Sequence, residues 1–169
     1  MERSGSIGVD LEGMDQVMKA LERAGDDVRD AAMTGLKAGA DDILADAQRN
    51  LRVNGSWVTG NLAQSGRVIA RDGSVDVGFF DTTNANSGYA MYVEYGRRAG
   101  RFPPLDVIVQ WARKKLRLDD KAARTVGFLT ARKIALEGSR PHPFFRPAIE
   151  KNRRSILNAV EDAIRQATK

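Results

Sequence analysis

Cysteine is absent from the 169 residues, and histidine occurs once, at position 142. Without thiols there can be no disulfide and no thiolate metal site, which fits assembly in a reducing cytoplasm. One imidazole leaves a Ser–His–Asp triad or a histidine-rich metal site little to draw on. His142 stands between Pro141 and Pro143, so it reads as a turn residue rather than a general base. No apolar run of signal-peptide length opens the chain, and none approaches the ~20 residues of a membrane helix. The expectation is a soluble protein, made inside a cell, with no membrane partner. Aromatic residues are also few, with six Phe, three Tyr and two Trp. The core must therefore be mostly aliphatic.

The motif inventory is equally short. No Walker-type phosphate loop occurs and no GxGxxG follows a strand. No helix-turn-helix spacing with a clear recognition helix is found. Neither enzymatic activity nor any cofactor or metal is expected. The doublets Asp26-Asp27 and Asp119-Asp120 fall at expected helix starts, where carboxylates cap orphan N–H groups and favour the helix dipole. Asp41-Asp42 reads as a solvated helix face.

What the chain does have is a division of charge. Its overall excess is +5, but residues 1–96 carry 9 Lys and Arg against 15 Asp and Glu, a net −6. Residues 97–169 carry 18 against 7, a net +11. Such a split implies either a basic face for nucleic acid or an acidic side that meets a neighbour's basic side. The basic stretches are "RRAGR" (97–101), "RKKLR" (113–117), Arg132-Lys133 and "KNRR" (151–154), and no aromatic residues interleave with them as in single-strand binders.

Periodicity supplies the elements. A short strand is expected in "SIGVDL", then an amphipathic helix through Met14, Val17, Met18 and Leu21. A second helix, capped by Asp26, runs to about Leu51 with Val28, Ala32, Leu36, Gly39, Ile43, Ala47 and Leu51 in one stripe. Gly35 and Gly39 each cost about 1 kcal/mol of helix propensity relative to Ala, so another element is expected to approach that face closely. A glycine-punctuated loop (53–66) includes a turn of helix at Asn61–Ser65. Val68 and Ala70, then Val75, Val77 and Phe79, alternate around Asp72-Gly73 as a hairpin. "DTTNANSG" reads as an exposed polar loop. Beyond Pro103-Pro104 the pattern is helical: Leu105, Ile108, Val109, Ala112 and Leu116, widened by Trp111, then Ala122, Val126, Leu129 and Leu136 up to Gly138. Arg113, Lys114 and Arg117 cluster on the polar side of the first of these helices. "SRPHPFFRPA" must be extended, and Ile149, Ile156, Leu157, Val160, Ala163 and Ile164 mark a last helix. The reading is one α+β domain over 1–169: a small antiparallel sheet packed with a long helix and a C-terminal helix, plus an inserted helical pair over 97–138.

Three pieces in this order, "VTGNLAQSGRV" (58–68), "YAMYVEYG" (89–96) and "HPFFRPAIEKNRRSILNAVEDAI" (142–164), resemble the neck and tail-completion proteins of tailed bacteriophages. The matching positions are Thr59, Gly60, Leu62 and Ser65 before the hairpin; Tyr89, Ala90, Val93, Glu94 and Gly96 after it; and Pro143, Phe144, Pro147 and Ala148 at the last helix. The resemblance implies that Tyr89, Val93 and Gly96 set the fold by packing against the hairpin and stopping the chain. It makes Glu94 a carboxylate satisfied by backbone N–H groups or by an arginine of its own or a neighbouring subunit. Residues 97–138 depart from shorter relatives.

The function implied is that of a virion structural protein at the head–tail interface, synthesised in the host cytoplasm. It would form a homo-oligomeric ring, six copies being the expected count, between the head-side connector or stopper protein and the tail terminator or tail tube protein. Arg97, Arg98, Arg101, Arg113, Lys114 and Arg117 are the candidates for an interface or for sequence-independent contact with DNA in the lumen. The rival reading is a free, sequence-independent, basic DNA-binding protein.

Overall fold

A computed structural model describes residues 7–8, 25–56, 60–80 and 89–167. The expected helix through Met14 to Leu21, the motif residue Thr59 and the polar loop at 81–88 lie outside the described residues. Among the described residues no helix is long and apolar enough to cross a membrane.

Helix α1 (Asp26–Val53) buries the whole expected stripe, Val28, Ala32, Leu36, Gly39, Ile43, Ala47 and Leu51. Its start differs by one residue. Gly25, at φ 91, is the N-cap and no side chain caps the helix. Glycine's positive φ turns the chain straight into the helix, so Asp26 and Asp27 occupy the first turn and act through the dipole instead. The helix ends at Gly55 (φ 69), with Ser56 N–H donating to the Leu51 carbonyl at 3.0 Å and Gly55 N–H to Arg52 at 3.1 Å. This paired arrangement satisfies carbonyls the helix would otherwise orphan.

A short helix α2 (Asn61–Gln64) leads into the hairpin of β2 (Gly66–Arg71) and β3 (Ser74–Phe79). β1 (Ile7–Gly8) adds to the other edge of β3, giving an antiparallel sheet of order β1-β3-β2 with Ile7 opposite Phe79 and Val68 opposite Val77. Val77 and Phe79 face the core, whereas Ala70, near the turn, is exposed. Then come α3 (Tyr89–Tyr95), α4 (Leu105–Leu116), α5 (Asp120–Glu137) and α6 (Phe145–Ala167). The architecture is α+β.

The core lies where α1 meets α6 and the hairpin. Phe79 is fully buried between the edges of Phe144 and Phe145, with ring centroids 4.9 and 5.6 Å away. The two α1 glycines explain how close α6 comes. A Cβ on Gly35 would meet the Ala159 carbonyl at 3.2 Å, and one on Gly39 would sit 2.3 Å from Ile156 Cγ1. One polar knot joins the same helices. Asn152 Nδ2 and Lys151 Nζ both reach Asp46 Oδ2 at 2.8 Å, and Arg49 pairs with the other oxygen. Hydrogen bonds from Lys151 and Asn152 hold the Asp46 carboxyl below its ordinary value, against a desolvation that pushes it up.

Two expected apolar stripes are placed differently. On α5 the buried residues are Ala123, Gly127 and Ala131, while Leu129 and Leu136 are exposed. The reason is proximity: a Cβ on Gly127 would lie 2.7 Å from Val109 Cγ2 of α4, a contact that only the small-residue face allows. On α4 only Ala112 is fully buried, and Leu105 and Leu116 are exposed. The cap of α5 is as expected, with Asp119 accepting from Ala122 N–H at 2.8 Å. The extended stretch is shorter than "SRPHPFFRPA". It ends at Phe144, because Pro147 falls in the first turn of α6, where a missing N–H costs nothing. Leu157 of that helix is exposed.

Two outcomes test this packing. Gly39→Ala destabilises by about 2 kcal/mol despite alanine's better helix propensity, because Ile156 must shift, and in urea unfolding the double variant with Ile156→Ala, which removes the crowding Cγ1, loses less than the sum of the two single losses. The Asp46 contribution is fully present above the ordinary carboxyl value of 3.8 and is lost as pH falls through the depressed folded value. Asp46→Asn therefore removes that portion of the acid-side slope from the unfolding free energy measured against pH.

Candidate assembly surface

Glu94 is almost completely buried on α3, and its carboxylate closes the amino end of α6. Oε2 accepts from the N–H groups of Phe144 at 2.8 Å and Phe145 at 2.9 Å, and Oε1 from Arg146 at 3.1 Å. Pro147 has no N–H to satisfy. A helix start leaves its first N–H groups without intrahelical partners and carries partial positive charge, so a buried carboxylate is matched there in both hydrogen bonding and field. Asn50 and Asn54, one turn apart on α1, hold the same segment from the other side by donating to the Phe144 and Pro143 carbonyls at 2.9 and 2.7 Å. This is a lock between three elements. Among the described residues no group of His, Asp and Glu could hold a metal ion.

Helical periodicity puts Ala90 and Glu94 inward and leaves Tyr92 and Tyr95 turned outward, with Tyr89 only partly exposed. The tyrosines are thus not core residues packed on the hairpin, as expected for Tyr89. Val93 is partly buried and does touch the core. Gly96 stops α3 at φ 73, where a Cβ would lie 2.5 Å from the Ser139 carbonyl. Arg97 and Ser139 then pair as an isolated antiparallel bridge, with N–H···O distances of 3.1 and 2.8 Å. The segment carrying α4 and α5 leaves and rejoins the body at this bridge.

Between that segment and the body lies a cleft of about 610 Å³. Tyr89, Tyr92, Trp111 and Ile134 form much of its wall, Arg97 and Lys115 supply charge, and among the described residues no Asp or Glu lines it. Lys115 Nζ reaches the Gly55 carbonyl at 3.2 Å, linking the cleft's two sides. Arg97 stacks 5.3 Å above the Tyr92 ring and donates to the Arg101 carbonyl at 2.6 Å. Burial pushes the Tyr89 phenol above its ordinary value.

The outer surface is unusual in composition. Twelve large apolar side chains are exposed among the described residues; six of them lie between Phe102 and Leu136, and four more are on α3. Leu129 is 56% and Leu136 68% exposed. This exposure makes α3 and the 97–138 segment the candidate assembly surface. Around it stand exposed Arg98, Arg101, Arg124 and Arg132.

Residues 15–96 match the family described as "Bacteriophage HK97-gp10, putative tail-component". The match supports a tailed-phage neck or tail family for that segment. No curated protein and no solved structure gives a match. The HK97-gp10-like match ends at Gly96, one residue before the Arg97–Ser139 bridge. It is a structural family, and it supports a bacteriophage tail component located in the virion.

Within the HK97-gp10-like segment, Gly60 caps α2 at φ 80 and Leu62 is buried. Ser65 Oγ donates to the Leu62 carbonyl at 2.8 Å. Tyr89, Ala90, Val93, Glu94 and Gly96 converge on the lock and its exit. Beyond the segment, Pro143 and Phe144 meet them there, with Ala148 buried and Pro147 exposed. The basic residues do not form one track. Arg113 pairs with Asp120 across the α4–α5 corner. Arg117 is not on α4's polar face but ends that helix in the left-handed region, φ 53. Lys114 is exposed. Asn50 and Asn54 were not singled out from sequence; two asparagines one turn apart at the end of a long helix were the available signal. Glu94→Ala lowers stability by about 3 kcal/mol or more, because three buried N–H groups lose a charged acceptor, and Glu94→Gln costs about half that. Urea midpoints unchanged from the parent would remove the lock's role.

Proposed function

We propose that the protein is a structural component of the phage neck, forming a closed ring that joins the DNA-filled head connector to the tail tube. The observation that carries this reading is the tail-component match over residues 15–96. Two features support it. A closed ring uses heterologous contacts, one patch meeting a different patch on the next subunit, and the −6 and +11 halves supply patches of opposite sign. The exposed apolar residues of α3 and the 97–138 segment supply area that a monomer gains nothing by exposing. Six subunits are the expected number, with a head-side stopper on one face and a terminator or tube protein on the other. Exposed cations that do not enter subunit contacts would face DNA in the lumen and touch its phosphates without reading sequence. A free DNA-binding protein is the weaker alternative, because its basic residues are split among ion pairs, a helix stop and the cleft.

Light scattering of the purified protein over a concentration series, with negative-stain images of the same fractions, checks the proposal. The expected result is a single step to a large oligomer seen as rings. A strict monomer that binds duplex DNA tightly at low salt would instead favour the alternative.

A further inference from the structure

We infer that the outward face of α5 docks on the acidic face of α1 in a second copy of this chain; the inference rests on the ring reading and names its contact. On α5, Phe128, Leu129, Arg132 and Leu136 are exposed at spacings that place them along neighbouring ridges of the helix. Phe102 extends this patch, its ring 5.7 Å from that of Phe128. Arg124 and Lys133 are exposed beside it. Lys133 reaches Glu137 only at 3.8 Å, and among the described residues no ion-pair partner is found for Arg124 or Arg132. An apolar centre with a cationic rim is the anatomy of an interface, and it calls for an apolar or small-residue surface rimmed by carboxylates.

The same chain has such a surface. The side of α1 that faces away from α6 presents Asp30, Thr34, Ala38, Asp41, Asp42 and Ala45, all exposed. Among the described residues Asp30, Asp41 and Asp42 have no ion-pair partner. Thr34, Ala38 and Ala45 are short, so the larger Phe128, Leu129 and Leu136 of another helix can approach between the carboxylates. The α5 face and the α1 face are different patches on one subunit, so their contact is heterologous and propagates head to tail. It closes into a ring when the rotation permits. The rim charges also make the association sensitive to salt.

A charge exchange tests this contact on the full-length protein. The α5 variant is Arg124→Glu with Arg132→Glu, and the α1 variant is Asp41→Lys with Asp42→Lys. All four positions are exposed, so thermal unfolding of each variant is expected to match the parent. Light scattering across concentration reads assembly. The parent assembles, each variant alone needs at least about tenfold more protein to do so, and an equimolar mixture of the two regains parental assembly. The mixture recovers because each interface then joins an acidic face to a basic one. Variants that assemble like the parent would overturn this pairing and leave the ring reading standing. So would a mixture that fails to recover. A parent that stays monomeric at every concentration would overturn the second copy as occupant, and would count against the ring itself.

Discussion

Burying a carboxylate is costly unless its oxygens are fully occupied, and Glu94 meets that condition at the amino end of α6. The consequence reaches through the molecule. Because Glu94 can be buried only where three N–H groups converge, α3 is fixed against the start of α6. Because Phe144 and Phe145 lie in that same start, both rings are delivered to Phe79 of the hairpin. Because Asn50 and Asn54 hold the adjoining carbonyls, the far end of α1 is brought in as well. One ionic requirement thus ties together a sheet and three helices that are distant in sequence.

Elements governed by local chemistry were legible from the residues. The α1 stripe, the hairpin turn at Asp72-Gly73, the Asp119 cap and the stop at Gly138 each depend on neighbours within a few positions. So did the need for close approach at Gly35 and Gly39, although the partner, α6, could not be named in advance. What failed was the choice of face. On α5 both an aliphatic stripe and a stripe of Ala and Gly run along the helix, and periodicity favours the more hydrophobic one. The structure buries the small one, since helix–helix distance and not side-chain hydrophobicity decides that contact. Tyr89 misled in the same way, because an aromatic residue suggests a core when it can equally form the wall of a cleft.

The candidate surface was less legible than the fold for a related reason. Charge imbalance was visible in the sequence, but a count of charges cannot tell which are already engaged. Arg113 faces Asp120, Lys115 spans the cleft and Arg97 lies on Tyr92. Among the cations that remain, Arg124 and Arg132 are the ones that stand beside exposed Phe128, Leu129 and Leu136. Inside, by contrast, every buried side-chain N or O among the described residues has a hydrogen-bond partner.

The bridge between Arg97 and Ser139 gives the α4–α5 segment a common point of departure and return. The far end of the segment is therefore free of the geometry on either side, since the body holds it at two adjacent stretches of backbone and, through Lys115, at Gly55. Residues could be added to or removed from the far end of the pair while Glu94 and Phe144 keep their positions. In mechanical terms the segment is a bracket bolted at its root and braced at Lys115. An assembly built from such subunits can change the shape of what it grips without redesigning what holds each subunit together.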